Sequence, residues 1–268
     1  MERLTRAEKR LQRDLKRKET IQQRNNISLK TITPKTKNQE QVFRDFSSGK
    51  NLLIHGLPGT GKTFISLYLA LAEIEQYSEY HNITIIRSVV PSRDMGFLPG
   101  SVKDKAKVYE APYQSICAEL YGRKDAYDIL KNKGVINFET SSFLRGITFD
   151  NTIIIVDECQ NMTYQELTTI ITRVGKNTRI VFSGDYRQTD LKYDDERSGI
   201  MNFMKIISRM NKYFACVEFT EEDIVRSGLV KDFIIKKTQL ENNNFRPVAV
   251  VAAGYFTDAK AVHAPFTD

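Results

Sequence analysis

The sequence has little of what membrane-spanning, secreted or zinc-binding chains need. No stretch approaches the roughly 20 apolar residues of a membrane span, and the N-terminus is charged where a secretory signal would be apolar. The cysteines Cys117, Cys159 and Cys216 are far apart and lack metal-ligand spacing. Such cysteine usage suits a reducing compartment, so we expect a cytoplasmic protein with no membrane partner.

Length and charge predict one α/β domain with a basic arm. The 268 residues are too few for two full α/β lobes of about 150–200 residues each. Residues 1–50 hold 14 Lys/Arg against 6 Asp/Glu, whereas the other 218 hold 26 against 27. The basic excess therefore lies in the N-terminal segment, where residues 1–26 are either a solvated helix or an arm for nucleic acid or a neighbouring subunit.

A phosphate-binding loop is the strongest motif. Residues 56–63 read GLPGTGKT and match the pattern G-x-x-x-x-G-K-[ST]. A strand-like run precedes them and an apolar-faced helical pattern follows, as this loop requires. Its glycines let backbone N–H groups converge on phosphates, Lys62 reaches the β- and γ-phosphates, and Thr63 coordinates Mg²⁺. The predicted nucleotide-binding residues of the loop are Gly56, Leu57, Pro58, Gly59, Thr60, Gly61, Lys62 and Thr63.

A second motif places two carboxylates at the end of a buried strand. Residues 152–156 are apolar and mostly β-branched, and Asp157 and Glu158 follow directly. Ligands of open α/β sheets bind at this carboxyl edge. We expect Asp157 to hold the metal ion, through water or directly, and Glu158 to orient and polarise the attacking water.

Each of three further polar residues, Gln188, Gln39 and Arg226, has two interpretations. Gln188 follows another predicted strand, and its amide suits sensing a γ-phosphate or positioning water. Gln39 precedes the loop and either contacts adenine or is a surface glutamine. Arg226, in a helix predicted over residues 221–240, is either a surface charge or an arginine that stabilises transition-state charge.

The stretch after the second strand offers nucleic-acid candidates. Arg87 lies in the strand predicted over residues 83–90, and Phe97 and Leu98 follow in a loop rich in glycine and proline. Phe97 either fills the domain's own core or presents an aromatic ring on which a base stacks. A helix predicted over residues 103–122 is expected to break near Pro112.

Together these motifs resemble those of the PhoH family and, more distantly, the first RecA-like lobe of superfamily 1 helicases. The matching segments are PKTKNQ (34–39), GLPGTGKT (56–63), GFLPG (96–100), PY (112–113), FLRG (143–146), IVDECQN (155–161), SGDYRQ (183–188) and DIVRS (223–227). Ser101, where the family usually has an acidic residue, and Cys159, where alanine is commoner, depart from the pattern. The resemblance covers residues 34–240, roughly the ATPase domain expected over 31–242, between the arm at 1–30 and a tail at 243–268.

The resemblance implies a RecA-like core with parallel strands in the order 5-1-4-3-2, counting the five principal strands. It also implies ATP and Mg²⁺ binding, hydrolysis, a place for Gln39 near adenine, and an association with RNA or single-stranded DNA. The expected setting is the cytoplasm of a bacterial cell or a phage-infected one. Because a single lobe lacks the arginines that a second lobe supplies, we expect a ring homo-oligomer, a hexamer, in which Arg145 or Arg226 reaches the next subunit.

The leading functional hypothesis is an ATPase that couples hydrolysis to binding or remodelling RNA or single-stranded DNA. The alternative is a protein-interaction module switched by ATP, without motor activity. A small-molecule kinase is less favoured, because Glu158 and Gln188 suit attack by water and no arginine-rich lid is apparent in the sequence.

Overall fold

The computed structural model describes residues 27–77, 79–88, 102–141, 144, 146–186, 194–242, 250–251 and 255–256. The predicted arm over residues 1–26, Phe97, Leu98, Arg145 and Gln188 lie outside this part of the chain, as does most of the tail. The chain divides into two compact units, Met1–Val225 and Arg226–Asp268.

The first unit is built on a parallel six-stranded sheet. Its strands are β1 (Asn51–Gly56), β2 (Asn82–Arg87), β3 (Ile136–Thr140), β4 (Thr152–Asp157), β5 (Arg179–Gly184) and β6 (Phe214–Phe219). The strand order across the sheet is β3-β2-β4-β5-β1-β6. The order implied for the five principal strands is therefore confirmed, and β3 adds a sixth strand at the edge beside β2.

Helices connect the strands, because parallel neighbours need crossovers instead of tight hairpins. The helices of the first unit are α1 (Lys37–Ser47), α2 (Lys62–Gln76), α3 (Val102–Tyr121), α4 (Ala126–Asn132), α5 (Tyr164–Ile171) and α6 (Asp194–Ser208). The second unit contains α7 (Gly228–Asn242) and a short antiparallel pair, β7 (Val250–Val251) with β8 (Tyr255–Phe256). Within the described ranges, no helix is both long enough and apolar enough to span a membrane.

The sheet is buried on both faces. Alternate residues of β4 enter different apolar clusters: Ile153 and Ile155 belong to one, Ile154 and Val156 to the other. Both faces of a parallel strand are covered in this architecture, which explains why the strand reads as a continuous apolar run. The run ends at Asp157, so the first carboxylate lies at the carboxyl edge where the polypeptide leaves the core.

Two helical predictions were wrong. The predicted break near Pro112 does not occur, since α3 continues through that residue. The helix predicted over residues 221–240 begins only at Gly228. Residues Glu221–Asp223 instead form a short 3-10 helix, in which Thr220 and Asp223 make a capping box. The buried Asp223 carboxylate also accepts hydrogen bonds from Thr36 and Asn38, and this long-range pairing overrides the helical pattern of the sequence.

Candidate active site at the carboxyl edge of the sheet

The loop between β1 and α2 has the backbone shape that its glycines allow. Gly59 and Gly61 have φ angles of +75° and +85°, in the left-handed region that favours glycine. Gly61 is the N-cap of α2, and as a glycine it has no side chain to cap the helix. The first N–H groups of a helix have no partner within it, and with the helix dipole they favour an anion. This end of α2 is thus suited to phosphate.

Gly56 is required for a different reason, a close approach of backbone to backbone. A Cβ atom added there would lie 2.0 Å from the carbonyl oxygen of Phe219, and the φ angle of Gly56 is +128°. The next residue, Leu57, donates its N–H to the same carbonyl at 3.1 Å. Strand β6 therefore anchors the start of the loop, which explains why no larger residue fits.

Gln39 ties α1 to the middle of the loop. Its side chain is buried, its Nε2 donates to the Thr60 carbonyl at 3.1 Å, and its Oε1 accepts from the Lys35 N–H at 2.8 Å. The Thr60 hydroxyl donates to the Leu57 carbonyl at 2.9 Å. The structure brings Gln39 to the loop as a buried residue, so it is not a surface glutamine. Its contact with adenine stays a prediction.

A second segment, residues 220–225, also contacts the loop, and the sequence did not predict this contact. The N–H of Val225 donates to the Gly59 carbonyl at 3.1 Å. Asp223, two residues earlier, accepts from the Asn38 side chain at 2.7 Å. Residues 220–225 thus join the segment before α1 to the loop. Both segments carried family motifs, but neither motif showed that they meet. Arg226 begins the second unit, and its catalytic role stays a prediction.

Lys62 lies inside the loop. Its Nζ donates to the carbonyl oxygens of Gly56 and Leu57, each at 2.8 Å. Burial lowers the pKa of Lys62, while the nearby carboxylates of Asp185, Glu158 and Asp157 act in the opposite direction and favour the charged ammonium. A cation among these carboxylates, at the N-terminal end of α2, is placed to meet phosphate oxygens.

Both carboxylate oxygens of Asp157 are hydrogen-bonded. Oδ1 accepts from the Thr63 hydroxyl at 2.9 Å, and Oδ2 accepts from the Tyr113 hydroxyl at 2.8 Å. Burial raises the pKa of Asp157 and Glu158 adds to this, whereas Tyr113, Arg87 and Thr63 lower it. Thr63 and Asp157, predicted as metal ligands from motifs 94 residues apart, are in direct contact.

Glu158 has an unusual backbone and a defined partner. Its φ and ψ angles are 50° and 41°, a left-handed conformation that costs energy in a residue with a Cβ. The Nε2 of the buried Gln160 donates to the Glu158 carboxylate, and its Oε1 accepts from the Asp185 N–H at 3.0 Å. Gln160 therefore orients Glu158, which directly follows β4, and connects it to Asp185, which directly follows β5.

Three residues of the site were not among the predicted ones: Tyr113, Gln160 and Asp185. Gln160 lies two residues after the acid pair, and Asp185 lies in a polar cluster at a strand end. Their places in the sequence therefore indicated that both could belong to the site. Tyr113 had no such signal beyond its place in a family motif. Arg87 lies at the end of β2, with its guanidinium carbon 5.7 Å from the centre of the Tyr109 ring. Burial acts to lower the pKa of Arg87, but the nearby Tyr113, Asp157 and Glu158 raise it overall.

The donor set fits Mg²⁺. Thr63 and Asp157 present oxygen ligands, which this cation prefers. In the described part of the chain, no group of three or more His, Cys, Asp or Glu residues could hold a metal ion by itself.

Comparison with known proteins decides the family. A family model described as PhoH-like protein matches residues 31–237. The chain belongs to the PhoH family. A PhoH-like protein of Mycobacterium leprae is 28% identical over 221 residues, which cover 80% of this chain and 61% of the relative. One from Mycobacterium bovis is 30% identical over 211 residues, covering 76% and 57%. The protein PhoH of Escherichia coli is 29% identical over 200 residues, covering 74% and 56%.

The PhoH-family chain thus spans between 56% and 61% of the length of these relatives. Among solved structures, the large terminase of a thermophilic bacteriophage matches at 13% identity and a TM-score of 0.45, covering 75% of this chain and 50% of that one. The helicase domain of Pyrococcus furiosus Hef matches at 14% and 0.39, covering 69% and 39%. At these scores the two likenesses carry no argument about function.

Proposed function

We propose that this PhoH-family chain is a Mg²⁺-dependent ATPase that couples hydrolysis to binding or remodelling RNA or single-stranded DNA. The observation that carries the proposal is the contact between Thr63 and Asp157, 2.9 Å between hydroxyl and carboxylate oxygens, beside Lys62 and Glu158. Four residues predicted from two separate motifs form one polar cluster at the carboxyl edge of the sheet.

Each of these side chains has a definite task in phosphoryl transfer to water. Lys62 exchanges its two loop carbonyls for β- and γ-phosphate oxygens and keeps its charge there. The Thr63 hydroxyl donates a hydrogen bond to Asp157, which leaves its lone pairs for the cation. Bound Mg²⁺ supplies charge stabilisation on the phosphates. Glu158, held by Gln160, accepts a hydrogen bond from the attacking water and polarises it.

The remaining roles in the proposal are assigned from the sequence motifs. Gln188, three residues after Asp185, senses the γ-phosphate, and Gln39 contacts adenine. Arg87, Phe97 and Leu98 contact nucleic acid, aided by the basic arm. The support for Arg87 is its place at the end of β2, on the same edge as the acids. Since the relatives are bacterial, the proposed setting is bacterial cytoplasm, in the cell itself or during phage infection.

The first prediction concerns coupling to a polymer. Hydrolysis of ATP by the full chain is expected to rise about tenfold or more with single-stranded RNA or DNA, a change of about 1.4 kcal/mol in the barrier. The measurement is steady-state phosphate release with each polymer, with duplex DNA and heparin as controls for a general polyanion effect. Tight ATP binding with turnover that no polymer stimulates would contradict the proposal and favour the nucleotide-switched interaction module.

The second prediction concerns self-assembly into a ring, proposed to be a hexamer. If Arg226 or Arg145 acts on the neighbouring subunit, Lys62→Ala and the arginine→Ala variant are each inactive alone. In co-expressed 1:1 mixtures, random assembly pairs an intact loop with an intact arginine at about a quarter of the interfaces. Activity should return to that level. Arg44→Ala, at an exposed arginine paired with Glu40, is the control. Mixtures that stay inactive would show that the arginine does not act in trans.

A further inference from the structure

Tyr113 is attached to the candidate metal site by its hydroxyl. The side chain comes from α3, is fully buried, and donates to Oδ2 of Asp157 at 2.8 Å. Thr63 donates to the other oxygen of the same carboxylate at 2.9 Å. Two hydrogen bonds from two helices therefore determine the orientation of Asp157.

The direction of the tyrosine hydrogen bond follows from the chemistry of its two partners. A carboxylate has acceptor oxygens only, whereas a phenol hydroxyl carries one proton, so Tyr113 donates and Asp157 accepts. Arg87, at the end of β2, lies near enough for its positive charge to act on both Tyr113 and Asp157.

We propose that Tyr113 is a positioning residue for Mg²⁺, acting through Asp157. By donating to Oδ2 it leaves Oδ1 to accept the hydrogen bond from the Thr63 hydroxyl. The lone pairs of that hydroxyl are then not used by the carboxylate and would be available to Mg²⁺ bound with the nucleotide. This inference rests on the proposed function, because it assigns Tyr113 to the same site.

The structure also offers a second buried tyrosine–carboxylate hydrogen bond, one that does not involve Asp157. Tyr127 is buried in α4, and its hydroxyl donates to the Glu110 carboxylate at 2.8 Å. Removing either hydroxyl deletes one buried tyrosine–carboxylate hydrogen bond. General effects on stability should therefore be similar for the two tyrosines, and only Tyr113 should affect the metal.

The test compares ATP binding in Mg²⁺ and in EDTA for the full chain, by calorimetry. The Tyr113→Phe variant should lose about 10- to 100-fold of the affinity gain that Mg²⁺ produces, the usual effect of removing a partner of a metal ligand. Its affinity in EDTA should equal that of the unaltered chain. Raising the Mg²⁺ concentration should restore binding, which would not happen if the variant were merely misfolded. Tyr127→Phe should retain the full gain.

Each outcome has one meaning. A full Mg²⁺ gain in Tyr113→Phe would overturn the positioning role and leave the proposed function intact. An equal loss in Tyr113→Phe and Tyr127→Phe would also overturn it, since the effect would then be general. If the unaltered chain binds ATP equally with and without Mg²⁺, the proposed function itself fails.

Discussion

Replacing Glu158 by glutamine is expected to slow ATP hydrolysis by about 10²- to 10⁴-fold, the range for losing a general base, while ATP still binds. A glutamine has nearly the same shape, and its amide oxygen can still accept the hydrogen bond that Gln160 now donates to the carboxylate. The strained backbone at this position is unaffected by the change. What disappears is the negative charge that polarises water, so the loss should fall on the chemical step.

Single-turnover hydrolysis and equilibrium binding of ATP with Mg²⁺ separate these effects. The rate constant should fall while the dissociation constant changes less than about threefold, or 0.65 kcal/mol by the relation between affinity and free energy. Glu119→Gln, at an exposed carboxylate, is the matched control. A variant that hydrolyses ATP within tenfold of the unaltered chain would show that another group orients the water. Asp185 would be the first to examine, because it shares Gln160 with Glu158.

Replacing Lys62 by alanine should damage both binding and turnover. A hydrogen bond to a charged group contributes about 1.5–3 kcal/mol, so ATP affinity should fall by about 10- to 150-fold. The same ammonium neutralises charge that develops on the phosphates, and losing one such group lowers kcat by about 10²- to 10³-fold. Steady-state hydrolysis at several ATP concentrations, with calorimetric binding, measures the two losses.

Two further variants test whether position or charge matters at residue 62. Lys62→Arg keeps the charge but cannot place one compact ammonium between the Gly56 and Leu57 carbonyls. It should recover part of the affinity and little of the rate. Lys124→Ala, at an exposed lysine, should behave as the unaltered chain. Hydrolysis by Lys62→Ala at a near-normal rate would place the nucleotide elsewhere.

Most of the sheet could be predicted from the sequence, because its buried strands are local apolar runs. The strand that ends at Asp157 was located from its apolar run, and the loop over residues 56–63 from its spaced glycine and lysine motif. The prediction of a helix over residues 221–240 was wrong for its first residues, since the helix begins at Gly228. Those first residues have a helical pattern, yet Asp223 bonds Thr36, which lies 187 residues earlier in the chain. The helix propensity of these residues is a weaker effect than the cost of leaving a buried carboxylate without hydrogen-bond partners.

The phosphate loop and the pair of acids at a strand end could be recognised in the amino-acid sequence. Spacing and residue type within a few positions suffice for both motifs. The folded chain was needed to show that Tyr113 supports Asp157, that Gln160 joins Glu158 to Asp185, and that Val225 holds the loop. These contacts join residues 25 to 166 positions apart. Such contacts depend on which strands are neighbours and in what register, and packing of the whole sheet sets both.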